Sequence, residues 1–115
     1  MLRPLQLFFE RRHARRVTRD LLAWYYKVQT ERPGLSRTTL YTEILARRNR
    51  LDEPGARAIL RRAEQTFDWH SDREIRFRDI ALIVAFDEYQ RSHATTTGSQ
   101  TNLRRVVARL IPEAL

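Results

Sequence analysis

The sequence predicts an all-α protein, a single-domain bundle of about five helices. Several segments place apolar residues every three or four positions, which is the spacing of an amphipathic helix. No segment of useful length alternates apolar and polar residues as a half-buried strand does. The chain has 115 residues, 42% of them hydrophobic, which suits one domain with one core. We therefore treat residues 1–115 as one helical domain.

The start of the first predicted helix has two interpretations. Its apolar residues follow spacings of four, three and four: Val17, Leu21, Trp24 and Val28. The Glu-Arg-Pro-Gly segment 31–34 ends it. Upstream, segment 10–16 is mostly charged and separates this pattern from a short apolar group. Residues 1–16 are accordingly either a basic N-terminal arm or an extension of the first helix.

Two shorter helices follow. Ser36 or Thr38 is the expected N-cap of the second helix, which runs to about Arg50. Asp52 or Glu53 is the expected N-cap of the third. The apolar stripe of the third helix is well defined: Ala56, Ile59, Leu60, Ala63 and Phe67.

The fourth helix, at about 72–92, is predicted to be central. Ser71 and Glu74 have the spacing of a capping box. Apolar residues cover nearly every side of the helix that follows: Ile75, Phe77, Ile80, Leu82, Ile83, Val84, Phe86 and Tyr89. Such a helix is expected to be enclosed by several neighbours or by a second subunit. Segment 94–101 is then a predicted loop, and a fifth helix from about Leu103 is stopped by Pro112.

The charge distribution is the strongest functional clue. Arginine supplies all but one of the 22 basic residues, and the net charge is +8. Residues 1–62 carry a surplus of nine positive charges, residues 63–93 a surplus of three negative charges, and residues 94–115 add two positive charges. This polarity indicates either a phosphate-binding face or an acidic helix that neutralises basic neighbours, within the fold or across a dimer. A genome-wide preference for arginine codons would explain the residue type equally well.

Several classes of protein are disfavoured. The chain has no cysteine, which excludes disulfides and thiol chemistry and fits the cytoplasm. The longest apolar run, 80–86, is too short to cross a bilayer, so we expect no contact with a membrane. Glu10 and His13 have a Glu-x-x-His spacing, but a bundle metal site needs that motif twice. We therefore expect neither a metal nor a cofactor.

Catalysis is not indicated either. Tyr89 and His93 are four residues apart and, with Asp87 or Glu88, have the elements of an acid–base group. No nucleophile or oxyanion hole accompanies them in the sequence pattern. We therefore predict that the protein is not an enzyme.

Two groups of residues are candidate binding sites. The candidate nucleic-acid contacts are the arginines of two clusters: Arg11, Arg12, Arg15, Arg16, Arg19, Arg47, Arg48, Arg50, Arg57, Arg61 and Arg62. The second cluster flanks the turn between helices two and three, although that turn lacks the glycine of many helix-turn-helix readers. A weaker anion site comprises a hydroxyl-rich segment at a helix start and two arginines: Thr97, Ser99, Arg104 and Arg105. A flexible connection ending in an N-cap explains that segment more simply.

Three functions follow from these candidates. The preferred one is a non-enzymatic module that contacts the phosphates of DNA or RNA through its arginine clusters. The second is a homodimer or adaptor whose interface is the central helix or the aromatic residues of helix one: Phe8, Phe9, Trp24, Tyr25 and Tyr26. The third is a small helical bundle that binds a ligand or anion.

Overall fold

The computed structural model describes residues 3–66, 75–112, 114 and 115. Five helices account for most of these residues, and the described part of the chain contains no strand. The helices are α1 (Arg3–Glu31), α2 (Arg37–Asn49), α3 (Glu53–Thr66), α4 (Phe77–Ser92) and α5 (Thr97–Leu110). The predicted all-α bundle of five helices is confirmed.

Helix α1 is continuous from the first described residue. It has 29 residues, and at a rise of about 1.5 Å per residue it is about 44 Å long. Its buried side extends through the charged segment, because Glu10, Ala14 and Val17 are all 1% exposed or less. The described residues of segment 1–16 are thus an extension of the first helix and not a separate arm. Gly34, with a φ of +85°, lies in the turn that follows α1.

The predicted caps of α2 and α3 are present. The Ser36 hydroxyl accepts a hydrogen bond from the Thr39 backbone N–H at 3.3 Å. An Asp52 carboxylate oxygen accepts one from the Gly55 N–H at 2.9 Å. Both side chains satisfy backbone donors that the first turn of a helix leaves without partners. Ser36 and Asp52 are therefore the N-caps, and Thr38 and Glu53 lie inside the helices.

Helix α2 ends without the glycine that usually serves this purpose. Arg50 adopts the left-handed conformation, with a φ of 54° and a ψ of 49°. The backbone N–H groups of Arg50 and Leu51 both donate to the carbonyl of Ala46. A non-glycine residue in this conformation costs about 1 kcal/mol. The left-handed conformation of Arg50 ends α2 sharply, just before α3.

The predicted start of α4 is wrong at Ile75 and Arg76. Both residues precede the helix, which begins at Phe77. A carboxylate oxygen of Asp79 accepts a hydrogen bond from the Arg76 backbone N–H at 2.8 Å. Because this bond caps the helix from within, Arg76 stays extended instead of joining the helix. The capping box predicted from Ser71 and Glu74 lies outside the described residues, as does Phe67.

Helix α4 is the central helix, as predicted. It packs against α1, α3 and α5. Nine of its residues are buried: Phe77, Asp79, Ile80, Ala81, Leu82, Ile83, Val84, Ala85 and Tyr89. Its neighbours in the same chain already enclose its apolar sides, so α4 offers little apolar surface to a second subunit.

The predicted loop 94–101 is shorter in the structure, because α5 begins at Thr97. The Thr96 hydroxyl accepts from the Ser99 N–H at 3.2 Å, and the Ser99 hydroxyl accepts from the Thr96 N–H at 3.3 Å. These two bonds form a capping box that starts the helix six residues before the apolar stripe. Helix α5 ends at Leu110, just before Pro112, as expected.

The contacts of α1 with other helices determine which of its sides is exposed to solvent. Helix α1 contacts α2, α4 and α5, so neighbours cover one side of it over most of its length. None of the other described helices packs against the opposite side. In the part of the chain that the structure describes, no helix is both long enough and apolar enough to cross a membrane.

Candidate nucleic-acid interface

The uncovered side of α1 carries a group of arginines with no carboxylate partner among the described residues. We call Arg12, Arg15, Arg16 and Arg19 the α1 arginine face. Arg12, Arg16 and Arg19 are exposed and Arg15 is partly exposed. Among the described residues, none of the four forms an ion pair or a hydrogen bond through its guanidinium group.

The spacing of these residues places their charges on one surface. Arg12, Arg16 and Arg19 are separated by four and three positions, which puts them above one another on a helix. Seven positions correspond to about 10.5 Å along the axis. Four guanidinium groups therefore project over a short length of helix, where each can reach a different phosphate.

Arg11 is directed elsewhere. Its Nε donates to the side-chain oxygen of Asn102 at 3.2 Å, which ties α1 to α5. Although Arg11 is exposed, this contact turns its side chain toward the covered side of α1. We therefore leave it out of the α1 arginine face.

Most arginines of α2 and α3 are paired with carboxylates. Arg47 lies 2.7 Å from Glu31, and Arg57 lies 2.7 Å from Glu53 in the preceding turn of α3. Arg62 donates two hydrogen bonds to Asp87, at 2.6 and 2.9 Å. We call these three and Arg48 the matched arginines.

Arg48 joins three helices. Its Nε donates to Asp20 of α1 at 2.8 Å, and its Nη1 donates to Glu88 of α4. Burial alone would lower the pKa of Arg48, but the hydrogen bonds to Glu88 and Asp20 outweigh it and the pKa is raised. With only 13% of its side chain exposed, Arg48 is a structural contact.

The two remaining candidates, Arg50 and Arg61, are exposed and have no ion pair among the described residues. They lie on different elements, Arg50 at the end of α2 and Arg61 in α3. Arg50 lines a groove of about 590 Å³ that also contains the ion pairs of Arg48 and Arg62. The eleven predicted contacts thus separate into a compact group on α1 and a largely neutralised group on α2 and α3.

The predicted anion site at the start of α5 contains a carboxylate from the protein itself. The Ser99 hydroxyl donates to Glu10 at 2.8 Å, and the Asn102 side-chain amide donates to the other Glu10 oxygen at 3.0 Å. Glu10 is 1% exposed, so this contact fills the interior side of the helix terminus. Thr97 and Arg105 are exposed on the outer side, and Arg104 is half-buried near Asp79.

A groove between α1 and α4 was not predicted from the sequence. It has a volume of about 520 Å³ and is lined by Phe9, Arg12, His13, Arg16, Glu88, Tyr89, Ser92 and His93. The Tyr89 and His93 rings stack in parallel, with centroids 4.1 Å apart and planes 7° apart. The four-residue spacing of Tyr89 and His93 was noticed in the sequence, but their position beside α1 was not foreseeable from it.

His13 lies on the inner wall of this groove. Its Nε2 donates to the carbonyl of Ala85, 2.8 Å away, so Nε2 carries the proton. Burial lowers the pKa of His13, although the bond to Ala85 and the charge of Glu88 act in the opposite direction. Glu10 faces α5 and not His13, so the Glu-x-x-His pair does not converge. The described residues include no cluster of three metal-ligand side chains.

The aromatic residues of helix one have different environments. Phe8, Phe9 and Tyr26 are about half exposed, at 50%, 48% and 51%. Tyr25 is buried in the core, and Trp24 lies under Lys27, whose Nζ is 4.9 Å from the ring centre. The exposed aromatic rings therefore lie at the two ends of the α1 arginine face.

Comparison with known proteins gave no match to any family model, to any curated protein or to any solved structure.

Proposed function

We propose that the protein is a non-enzymatic, cofactor-independent module of the cytoplasm that binds nucleic acid through the phosphate backbone, using Arg12, Arg15, Arg16 and Arg19. The supporting observation is the difference in ion pairing between these residues and the matched arginines. A guanidinium group that already binds a carboxylate has less to gain from a phosphate. The α1 arginine face has no such competitor among the described residues.

Phosphate suits this surface better than isolated carboxylates do. A nucleic acid presents a regular row of negative charges, one for about every 3.4 Å of each strand. The α1 arginine face presents four positive charges over about two helical turns. Because the arginines and the phosphates both form rows, all four arginines can contact phosphates at once. A single acidic side chain cannot contact all four.

The experiment compares two variants of equal net charge. In the first, Arg12, Arg15, Arg16 and Arg19 are replaced by Gln. In the second, four other exposed arginines without an ion pair among the described residues are replaced by Gln: Arg61, Arg91, Arg105 and Arg109. Binding of a fluorescent oligonucleotide is measured by anisotropy at a single low salt concentration.

We expect the first variant to lose at least ten-fold in affinity and the second to lose much less. The total charge changes equally, so a difference between the variants reports the position of the arginines and not the net charge. Equal losses would show that net charge alone attracts nucleic acid. No binding by the unmodified protein would overturn the proposal.

Self-association through α1 is a second candidate. Leu5, Phe8 and Phe9 are each about half exposed, and Leu5 and Phe8 lie on the same uncovered side of α1. Two copies meeting along this side would bring their α1 arginine faces together, so a homodimer is limited to the apolar end of the helix. Sedimentation of the wild type and of the F8S/F9S variant tests this: a dimer that the substitutions dissociate supports the candidate, and a monomeric wild type contradicts it.

A further inference from the structure

We propose that the nucleic acid is single-stranded and that one unpaired base lies in the groove between α1 and α4, against the exposed face of His93. This inference rests on the proposed function and specifies its ligand. It is carried by the position of an aromatic groove directly beside the α1 arginine face.

The groove and the arginine face share two residues. Arg12 and Arg16 line the groove and also belong to the α1 arginine face. A phosphate held by these guanidinium groups would therefore place its nucleotide at the groove entrance. The volume of about 520 Å³ is within the range of small-molecule sites, about 300–1,000 Å³.

The rings at the groove form a stack that is open at one end. Tyr89 is buried and covers one face of the His93 ring, whereas His93 is exposed. The Ser92 hydroxyl lies 2.8 Å from Nδ1 of His93, and the Tyr89 carbonyl lies 3.3 Å from the same atom. These contacts hold the ring in place, so a base can extend the stack without first ordering a side chain.

Among the described residues, one acidic side chain lines the groove, and an arginine already binds it. Glu88 is bound by Arg48, which already carries the opposite charge at that end of α4. The groove therefore offers aromatic surface and two arginines, and the Glu88 carboxylate beside them is already bound by Arg48. Phe9, with 48% of its surface exposed, adds a further ring on the α1 wall.

These features favour a single strand over a duplex. In a duplex the faces of the bases are stacked on one another, so only phosphates and base edges are presented. In a single strand the faces are accessible, and aromatic residues next to a basic surface bind them with little sequence preference. A duplex would use the arginine face alone and leave the groove unoccupied.

The test uses three oligonucleotides of equal length: a single strand, its duplex, and a strand in which every base is absent. The abasic strand keeps the phosphates but has nothing to stack. We expect the single strand to bind about ten-fold more tightly than the abasic strand, which is within the range of one base stacked on an aromatic residue. The duplex should resemble the abasic strand after correction for its number of phosphates.

Two substitutions at one position isolate the ring. His93→Ala removes the stacking surface, and we expect it to lower single-strand affinity about ten-fold while affinity for the abasic strand is unchanged. His93→Phe keeps an aromatic face and should restore most of the binding. Circular dichroism of both variants checks that the helices are retained.

The outcomes separate this inference from the proposed function. If all three oligonucleotides bind alike and His93→Ala has no effect, the groove assignment is overturned while the α1 arginine face remains supported. If the wild type binds none of the three oligonucleotides, the groove assignment and the proposed function are both overturned. Competition by a free mononucleotide at micromolar concentration would identify a small-ligand site and also overturn the single-strand assignment.

Discussion

The α1 arginine face and the matched arginines of α2 and α3 have the same chemistry and different environments. Arg48 bridges α1, α2 and α4 through Asp20 and Glu88, and Arg62 joins α3 to α4 through Asp87. Arg12 and Arg16 make no such contact with any described residue. The excess of arginine thus divides between residues that hold helices together and residues that present charge to solvent, and the second group has no carboxylate partner among the described residues.

The largest expected effect is the loss of Arg48. Arg48→Ala removes hydrogen bonds to two carboxylates and leaves Glu88 half-buried without its cation, so we expect unfolding to become easier by about 3 kcal/mol. Chemical denaturation measures the change. Arg16→Ala is the control, and as an exposed residue without an ion pair it should change stability by less than about 0.5 kcal/mol. Similar losses in the two variants would remove the distinction between the groups.

Asp79 is a buried carboxylate that lies beside arginines. Burial raises the pKa of Asp79 from 3.8 to about 6, although the hydrogen bond from the Arg76 backbone N–H and the charges of Arg78, Arg104 and Arg76 oppose this. The folded protein therefore binds a proton more tightly than the unfolded chain. The resulting stabilisation is complete below about pH 4 and is lost as the pH rises through 6.

In the Asp79→Asn variant this side chain cannot ionise, so the variant does not lose stability as wild type does. The stability of the variant relative to wild type should therefore increase between about pH 4 and 6 and stay constant at higher pH. Each pKa unit corresponds to about 1.36 kcal/mol. Part of the gain is offset because the Arg76 N–H loses a charged acceptor and the arginines lose an attractive charge. We expect a net gain of about 2 kcal/mol at pH 8, measured by denaturation across pH. A less stable variant at pH 8 would mean that the arginines fully compensate the buried carboxylate.

A smaller effect concerns Glu10, a buried carboxylate that Ser99 and Asn102 hold by hydrogen bonds. No arginine among the described residues pairs with it. Ser99→Ala removes the 2.8 Å hydrogen bond to the buried Glu10 oxygen and the hydrogen bond that the Ser99 hydroxyl accepts from the Thr96 N–H. We expect a loss of about 1.5 kcal/mol. Thr101→Ala, an exposed position in the same helix, is the control. Phosphate binding should be unaffected by either change, because Glu10 already occupies the inner side of this helix end. Weaker phosphate binding by the Ser99 variant alone would restore the anion site predicted there.

The smallest effect is at Arg50, which forms no ion pair with a described residue and has a left-handed backbone conformation. Arg50→Gly relieves the backbone strain but increases the entropy of the unfolded chain, so we expect a gain of about 0.5 kcal/mol. Thermal unfolding measures it. Nucleic-acid affinity should fall less than for Arg16→Gln, because Arg50 lies outside the α1 arginine face. An equal loss of affinity would extend the binding surface to α2.

The helices were predictable from the sequence where their apolar spacing is regular. They were less predictable where a cap or a buried polar residue determines the extent of the helix. The stripe of Leu103 and Val106 indicated α5, but its first turns consist of Thr, Ser and Gly, which are also typical of loops. The capping box of Thr96 and Ser99 decides between the two, and its geometry is known only in the structure. Likewise, Glu10 concealed the continuity of α1, because a buried carboxylate resembles a solvated residue in a sequence.

The candidate site was predictable only in part. The sequence showed that basic residues dominate residues 1–62 and that acidic residues could neutralise some of them. It did not show which, because Arg48 and Glu88 are 40 positions apart and Arg62 and Asp87 are 25 positions apart. The groove beside Arg12 and His93 depends on contact between α1 and α4, which no local pattern encodes.

The dependence of affinity on salt tests the central claim most directly. Each phosphate contact contributes about 0.9 to the slope of log affinity against log salt concentration on duplex DNA. For the four arginines on a duplex probe we predict a slope of about −3.6, which is roughly a hundred-fold loss of affinity between 50 and 200 mM salt. The α1 variant should have a slope near zero, and the control variant should keep the wild-type slope. A wild-type slope that is unchanged in the α1 variant would contradict the claim that these four arginines bind the phosphates.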